Sequence, residues 1–200
     1  KADEFIIGFV FRNQLRKLVP NLIEGFSIWK SKAGAKGKLL LHTHWDEGWD
    51  IMRLADEYGV NRSDILTTYK CSKCNSYRVQ PFQGQGLNCL DCGSEKSLST
   101  SNILNGVSEK QLNEVYNLMD VYCHPCEEGS ASIPLKWSEY REIQTLFRKA
   151  STCPKSIAKS INKVYRMKSA EREKLGKQAR QWTIDNFSTE VIGEQIEKFI

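Results

Sequence analysis

Phe5-Ile-Ile-Gly8-Phe-Val-Phe11-Arg12-Asn-Gln-Leu-Arg16-Lys17-Leu-Val-Pro20 decides how the rest of the chain is read. A short, nearly continuous apolar run such as Phe5 to Phe11 marks a strand buried on both faces, as a parallel sheet requires. Pro20 suits a first helical position, because its missing N–H would be an orphan donor there and its fixed φ is already helical. Leu22, Ile23, Phe26 and Trp29 then share one helix face. Strand, cationic turn and helix in this order put Arg12, Arg16 and Lys17 at the carboxyl end of a strand beside a helix N-terminus, where α/β sheets take anionic ligands. The competing reading is three solvated charges on a surface turn.

Moving outward, Ser31 to Gly37 is an exit loop, Lys38 to His42 a second strand, Asp46 to Tyr58 a helix stopped by Gly59, and Asp64 to Tyr69 a third strand. This alternation predicts an α/β fold, a Rossmann-like parallel sheet flanked by helices. The rhythm breaks at Tyr69 and resumes near Ser108. There Gln111, three residues on, completes a capping box for a helix whose apolar face is Leu112, Val115, Tyr116 and Met119. Asp120 to Pro125 reads as another strand, and 126–148 shows no usable pattern. Helices then run from Cys153-Pro154 to Met167 and from Ala170 to Asn186, and a last amphipathic helix from about Thr189 carries Ile192, Ile196 and Ile200. Residues 1–68 and 100–200 are therefore expected to form one Rossmann-like domain interrupted by an insertion at 69–99.

The 200 residues, 40% of them hydrophobic, can bury a substantial core. A net charge of +5 favours anionic partners only weakly, since 24 acidic residues are interspersed among 29 basic ones. No apolar run approaches the ~20 residues of a membrane span, and Lys1-Ala-Asp-Glu4 is not a signal peptide. Seven cysteines are an odd number, and four of them fall into two C-x-x-C pairs. Thiolate metal ligation in a reducing, cytoplasmic compartment fits that pattern better than a secreted disulfide framework.

Cys71-Ser-Lys-Cys74, fourteen residues, then Cys89-Leu-Asp-Cys92 is the most specific local signal. Each C-x-x-C sets two thiolates on a tight knuckle, and two knuckles on facing hairpins complete a closed tetrahedral site, so a structural Zn²⁺ is predicted. A redox dithiol is the rival, although one dithiol does not need two paired motifs. Lys70, Lys73, Arg78 and Lys96 with Tyr69, Tyr77 and Phe82 make a candidate nucleic-acid surface. A protein-docking or loop-stapling ribbon is the alternative. Cys123-His-Pro-Cys126 has the form of a thioredoxin-type dithiol but follows a late strand, which favours a structural role. His42 and His44, at a strand end, read as hydrogen-bonded pocket residues rather than metal ligands. Glu127 and Glu128 are either solvated or partners for sugar hydroxyls.

Four pieces together resemble the donor-binding, C-terminal half of retaining glycosyltransferases with the GT-B fold. They are Gly8-x-Val-x-Arg12-Asn-x-x-Arg16-Lys17-x-x-Pro20, the Gly106-Val-Ser108 turn with Leu112 and Tyr116, Asp120-Val-Tyr-Cys-His124-Pro125, and the closing Trp182-x-x-x-Asn186-Phe187-Ser188. The resemblance implies transfer of a sugar from a nucleotide-diphosphate donor, with retention, to an unidentified acceptor. Arg12 and Lys17, with Arg16 assisting, would hold the donor diphosphate, and fixed cations there would stabilise charge developing on the leaving group. Gly8, Asn105 and Gly106 would lie near base and ribose, and Glu127 and Glu128 are the catalytic candidates. The chain departs from the family in lacking a second glutamate seven residues beyond either of them. It also lacks a helix and strand of roughly 25 to 30 residues expected by analogy, which suggests an omission at the Cys126/Glu127 join. The acceptor-binding half has no counterpart. The second expectation, from another class, is a zinc-ribbon module that binds nucleic acid or protein on a Rossmann-like scaffold. The two expectations combine in a glycosyltransferase acting on modified viral DNA.

Overall fold

The computed structural model describes residues 4–125, 133–141, 146 and 148–198. Strands β1 (Phe5–Val10), β2 (Gly37–His42) and β3 (Ile65–Cys71) are parallel neighbours, joined by helices α1 (Val19–Ala33) and α2 (Ile51–Glu57). β4 (Tyr77–Pro81) and β5 (Leu98–Thr100) run antiparallel to β3. After α3 (Glu109–Asn117), the chain crosses to the far side of β1 and adds the short parallel strand β6 (Val121–Tyr122). The order β4-β3-β2-β1-β6 makes an α/β fold with a mostly parallel sheet flanked by helices.

The pleat explains why both faces are apolar. Alternate side chains Phe5, Ile7, Phe9, Leu39, Leu41 and Ile65 pack under α1, α2 and α4 (Pro154–Arg166), while Ile6, Leu40 and Leu66 meet Val115 and Met119 on the other side. Leu22, Ile23, Phe26 and Trp29 of α1 are all buried. Each such side chain contributes about 2–3 kcal/mol relative to exposure. The Met119 side chain fills the space beside Gly8, where a Cβ would lie 2.0 Å from its Sδ.

Three expectations need correction. The helix predicted from Asp46 starts at Ile51, capped by Asp50, whose carboxylate accepts from Arg53 N–H at 3.0 Å. The preceding turn is instead held by a tertiary clamp, in which the buried Asn13 amide donates to the carbonyls of Glu47 and Trp49 and Asn13 Oδ1 accepts from Trp49 N–H at 3.2 Å. The strand expected over Asp120 to Pro125 pairs only at Val121 and Tyr122, extended by the bonds Asp120 N–H to Ile6 C=O and Cys123 N–H to Gly8 C=O. Within the stretch that carried no pattern lies β7 (Trp137–Arg141), which pairs antiparallel with β8 (Arg148–Thr152), a strand that begins at the end of that stretch. Every residue of β7 is exposed, so no apolar alternation announces it. Glu127, Glu128 and the Cys126/Glu127 join lie outside the described residues. The two C-terminal helices, α5 (Ser169–Phe187) and α6 (Thr189–Glu197), follow the predicted bounds closely.

Candidate metal centre

The cysteine ribbon begins as a continuation of the sheet, because β3 runs on through Cys71 beyond the end of its pairing with β2. β4 returns alongside Leu66 to Lys70, and β5 pairs with Tyr69 to Cys71. Trp45 fastens this extension to the body. Its ring stacks on Phe82 at 4.0 Å between centroids, and its Nε1–H donates to Thr67 Oγ1 at 2.7 Å. Thr67 in turn donates to the Leu41 carbonyl at 3.0 Å.

The two knuckles are built alike. Asn75 N–H donates to Cys71 C=O at 3.2 Å and Gly93 N–H to Cys89 C=O at 2.9 Å, while Cys71 N–H and Cys89 N–H donate to the carbonyls of Ser76 and Ser94, both at 2.9 Å. The residue after each second cysteine is left-handed, with φ of 61° at Asn75 and 70° at Gly93. Asparagine and glycine are the residues that enter that region at least strain. Each turn aims backbone N–H groups at its first sulfur, such as those of Lys73 and Cys74 at 3.4 and 3.5 Å from Cys71 Sγ. Ser76 and Ser94 place hydroxyls 3.1 and 3.2 Å from Cys74 Sγ and Cys92 Sγ.

The four sulfurs all lie within 4.8 Å of one another, with Cys71 to Cys92 at 3.8 Å and Cys74 to Cys89 at 3.7 Å. A tetrahedron with bonds of about 2.3 Å has edges of about 3.8 Å, so the thiols fit a Zn²⁺. The backbone N–H of Cys74 and then the Ser97 hydroxyl pull the Cys71 thiol down to about 6. The Ser76 hydroxyl and then the Cys92 N–H lower Cys89. Cys74 is raised: although Ser76 pulls it down, desolvation and then the thiols of Cys92 and Cys71 push it up. Four thiolates this close repel one another, and a bound cation is what allows all four to ionise together. With every position taken by sulfur, an ion held here would have no open coordination position and would cross-link the two knuckles.

Other candidate residues fall elsewhere. Arg12, Arg16 and Lys17 do sit between the carboxyl end of β1 and the start of α1. The Arg12 guanidinium is engaged by Glu47, at 2.8 Å from Nε and 3.4 Å from Nη2, which raises the arginine and lowers the glutamate pKa. Arg16 Nε–H donates to Gln14 Oε1 at 3.1 Å. Asn105 and Gly106 lie at the ribbon's base, where Asn105 Nδ2 donates to Lys70 C=O at 3.0 Å and Lys70 Nζ to Gly106 C=O at 2.5 Å. Among the described residues no hydrogen bond or ion pair joins them to Arg12, Arg16 or Lys17.

The aromatic part of the expected nucleic-acid surface is corrected. Tyr69 is fully buried, its hydroxyl donating to Gly84 C=O at 2.8 Å and accepting from Gln83 N–H at 2.8 Å. Phe82 is used by Trp45, and the Tyr77 hydroxyl donates to Glu114. Arg78 pairs with Asp91 at 2.6 Å. Lys73 and Lys96 remain exposed on the ribbon, with the side chain of Leu90 (79% exposed) between the second pair of cysteines.

Cys123 is buried among apolar groups, which pushes its thiol up to about 12 and removes thiolate chemistry at neutral pH. His42 is also buried, and desolvation pushes it down to about 4. The unfolded chain takes up this proton near 6.5, so the contribution of neutral His42 to stability is complete above that pH. It is lost as pH falls from 6.5 toward 4, at about 1.4 kcal/mol per pH unit. Urea unfolding of His42→Leu across that window should show a flatter acid limb than the unsubstituted protein. His44 Nδ1 lies 3.4 Å from Thr100 Oγ1, and neither histidine belongs to a metal-binding cluster among the described residues. None of the described helices is long and apolar enough to cross a membrane.

No family model matches the chain. A stretch of 73 residues, 36% of the chain, is 40% identical to the DNA polymerase II large subunit of Picrophilus torridus, of which it covers 6%. This finding overturns the expectation of sugar transfer: the similarity found is to a DNA polymerase subunit, not to a glycosyltransferase.

Proposed function

We propose that this chain is a zinc-ribbon nucleic-acid-binding module carried on a Rossmann-like body. The observation that carries the reading is the 40% identity over 73 residues to a DNA polymerase subunit. The ribbon offers the surface. Lys73 lies in the first knuckle, Lys96 ends the loop after the second, and the metal fixes both relative to β3. With Tyr69 and Phe82 turned inward, the ribbon has cations but no stacking platform, so it contacts phosphates and is tolerant of sequence.

Fluorescence anisotropy with a labelled single-stranded oligonucleotide tests this. Each phosphate contact contributes about −0.7 to the slope of log affinity against log salt. Lys73→Gln with Lys96→Gln should therefore bind more weakly and with a slope shallower by about 1.4. Failure of the unsubstituted, zinc-loaded protein to bind at low salt would overturn the reading.

A further inference from the structure

Helix α4 contains Lys155, Lys159, Lys163 and Arg166 and no carboxylate. Like charges at i, i+4 destabilise an isolated helix, so Lys155 and Lys159 are unfavourable unless something anionic covers them. The helix buries Ile157, Ala158, Ile161 and Val164 against the core. Lys155, Lys159, Asn162 and Arg166, spaced by four, three and four residues, form a separate stripe that lines a groove of about 300 Å³ against α1. Lys32 of α1 completes the groove from the other wall, over a floor that includes Ile28 and Ala158. Among the described residues none of these four cations has a carboxylate partner, whereas Lys30, on the same helix as Lys32, is paired with Asp64.

The stripe covers about 16 Å along α4 at 1.5 Å per residue. A periodic row of this kind suits a periodic polyanion better than a single bound anion. Its position also bears on the ribbon. Gly25 of α1 packs on Ile157 at the start of α4, while Trp29 packs on Gly37, where β2 begins. The row thus descends toward the amino ends of the parallel strands, and the cysteines lie beyond the carboxyl end of β3. Cations at both ends of the sheet serve a ligand long enough to run between them.

We propose that the α1/α4 groove is a second phosphate-backbone site for the polynucleotide that the ribbon binds, an inference that rests on the reading above. The same anisotropy titration, with an oligonucleotide of about twenty nucleotides, tests it on three zinc-loaded proteins. They are the unsubstituted chain, a groove variant (Lys32→Gln, Lys155→Gln, Lys159→Gln) and the ribbon variant (Lys73→Gln, Lys96→Gln). The groove variant should keep its zinc and its far-ultraviolet spectrum and show a salt slope shallower by about 2, three contacts at about 0.7 each. Lys155→Arg with Lys159→Arg, which keeps the charges, should restore that slope. A groove variant with the unsubstituted slope, beside a weakened ribbon variant, overturns the groove and leaves the ribbon reading standing. A weakened groove variant beside an unaffected ribbon variant does the reverse. Binding of a polyglutamate peptide but no oligonucleotide would overturn both.

Discussion

Chelating the metal from the four thiolates should release residues 71–76 and 86–98 while β1, β2 and the body of β3 stay folded. The ribbon's own apolar cluster is small: Tyr69, Cys71, Cys89 and Leu98, with Phe82 and Leu87 against it. Burying one leucine contributes about 2–3 kcal/mol. Binding of a structural Zn²⁺ in small finger peptides is worth on the order of 10 kcal/mol. The metal term therefore dominates in the knuckles. Unfolding should stop at Tyr69 and Phe82, because the Trp45 stack and the Trp45–Thr67–Leu41 hydrogen bonds hold those residues to the sheet. Hydrogen exchange should show lost protection at Leu87, Cys89, Gly93 and Leu98, whose amides donate within the ribbon. Protection should be kept at Ile7 and Leu39, which pair inside the parallel sheet. Native mass spectrometry should find one zinc per chain. Knuckle amides equally protected before and after chelation would mean that the metal does not hold the ribbon.

Gly48→Ala should be the most damaging single methyl addition in the loops at the sheet's carboxyl end. Gly48 has φ of +63°, and a Cβ there would lie 2.1 Å from the Asn13 carbonyl oxygen and 2.8 Å from its carbon. Backbone atoms cannot step aside as a side chain can. Shifting the turn would break the Asn13 clamp, which joins the loops after β1 and β2 through Glu47 and Trp49. A left-handed alanine costs about 1 kcal/mol, and each lost hydrogen bond about as much again. The sum, about 3–4 kcal/mol, corresponds to a Tm lower by roughly 10 °C in a chain of this size. Gly34→Ala is the control: φ there is +55°, but nothing lies within 4 Å, so only the backbone term of about 1 kcal/mol applies. Equal losses in the two variants would show that the clamp carries no weight.

The parts of the chain that could be read in advance are those governed by local rules. Leu22, Ile23, Phe26 and Trp29 repeat at helical spacing and are buried together; Ser108 and Gln111 form their capping box; the two C-x-x-C pairs converge. What could not be read depends on partners distant in sequence. Glu47 reaches Arg12 across 35 residues, and nothing near Arg12 announces that its guanidinium is already engaged. Tyr69 and Phe82 look like a binding surface in a one-dimensional reading. They turn inward because β3 continues into the ribbon and Trp45 covers it. The cationic groove was missed for the same reason, since Lys32 and Lys155 become neighbours only when α4 packs on α1. The expectation of sugar transfer rested on the order of parts, and such an order reports topology more directly than ligand chemistry.

The most direct test of the account is photo-crosslinking of a single-stranded oligonucleotide to the zinc-loaded chain, with the modified peptides mapped by mass spectrometry. Crosslinks should fall within residues 71–98 and along Pro154–Arg166, should weaken as salt rises, and those in the ribbon should vanish when zinc is removed. Crosslinks no stronger than those of an unrelated protein, or confined to other surfaces, would contradict it.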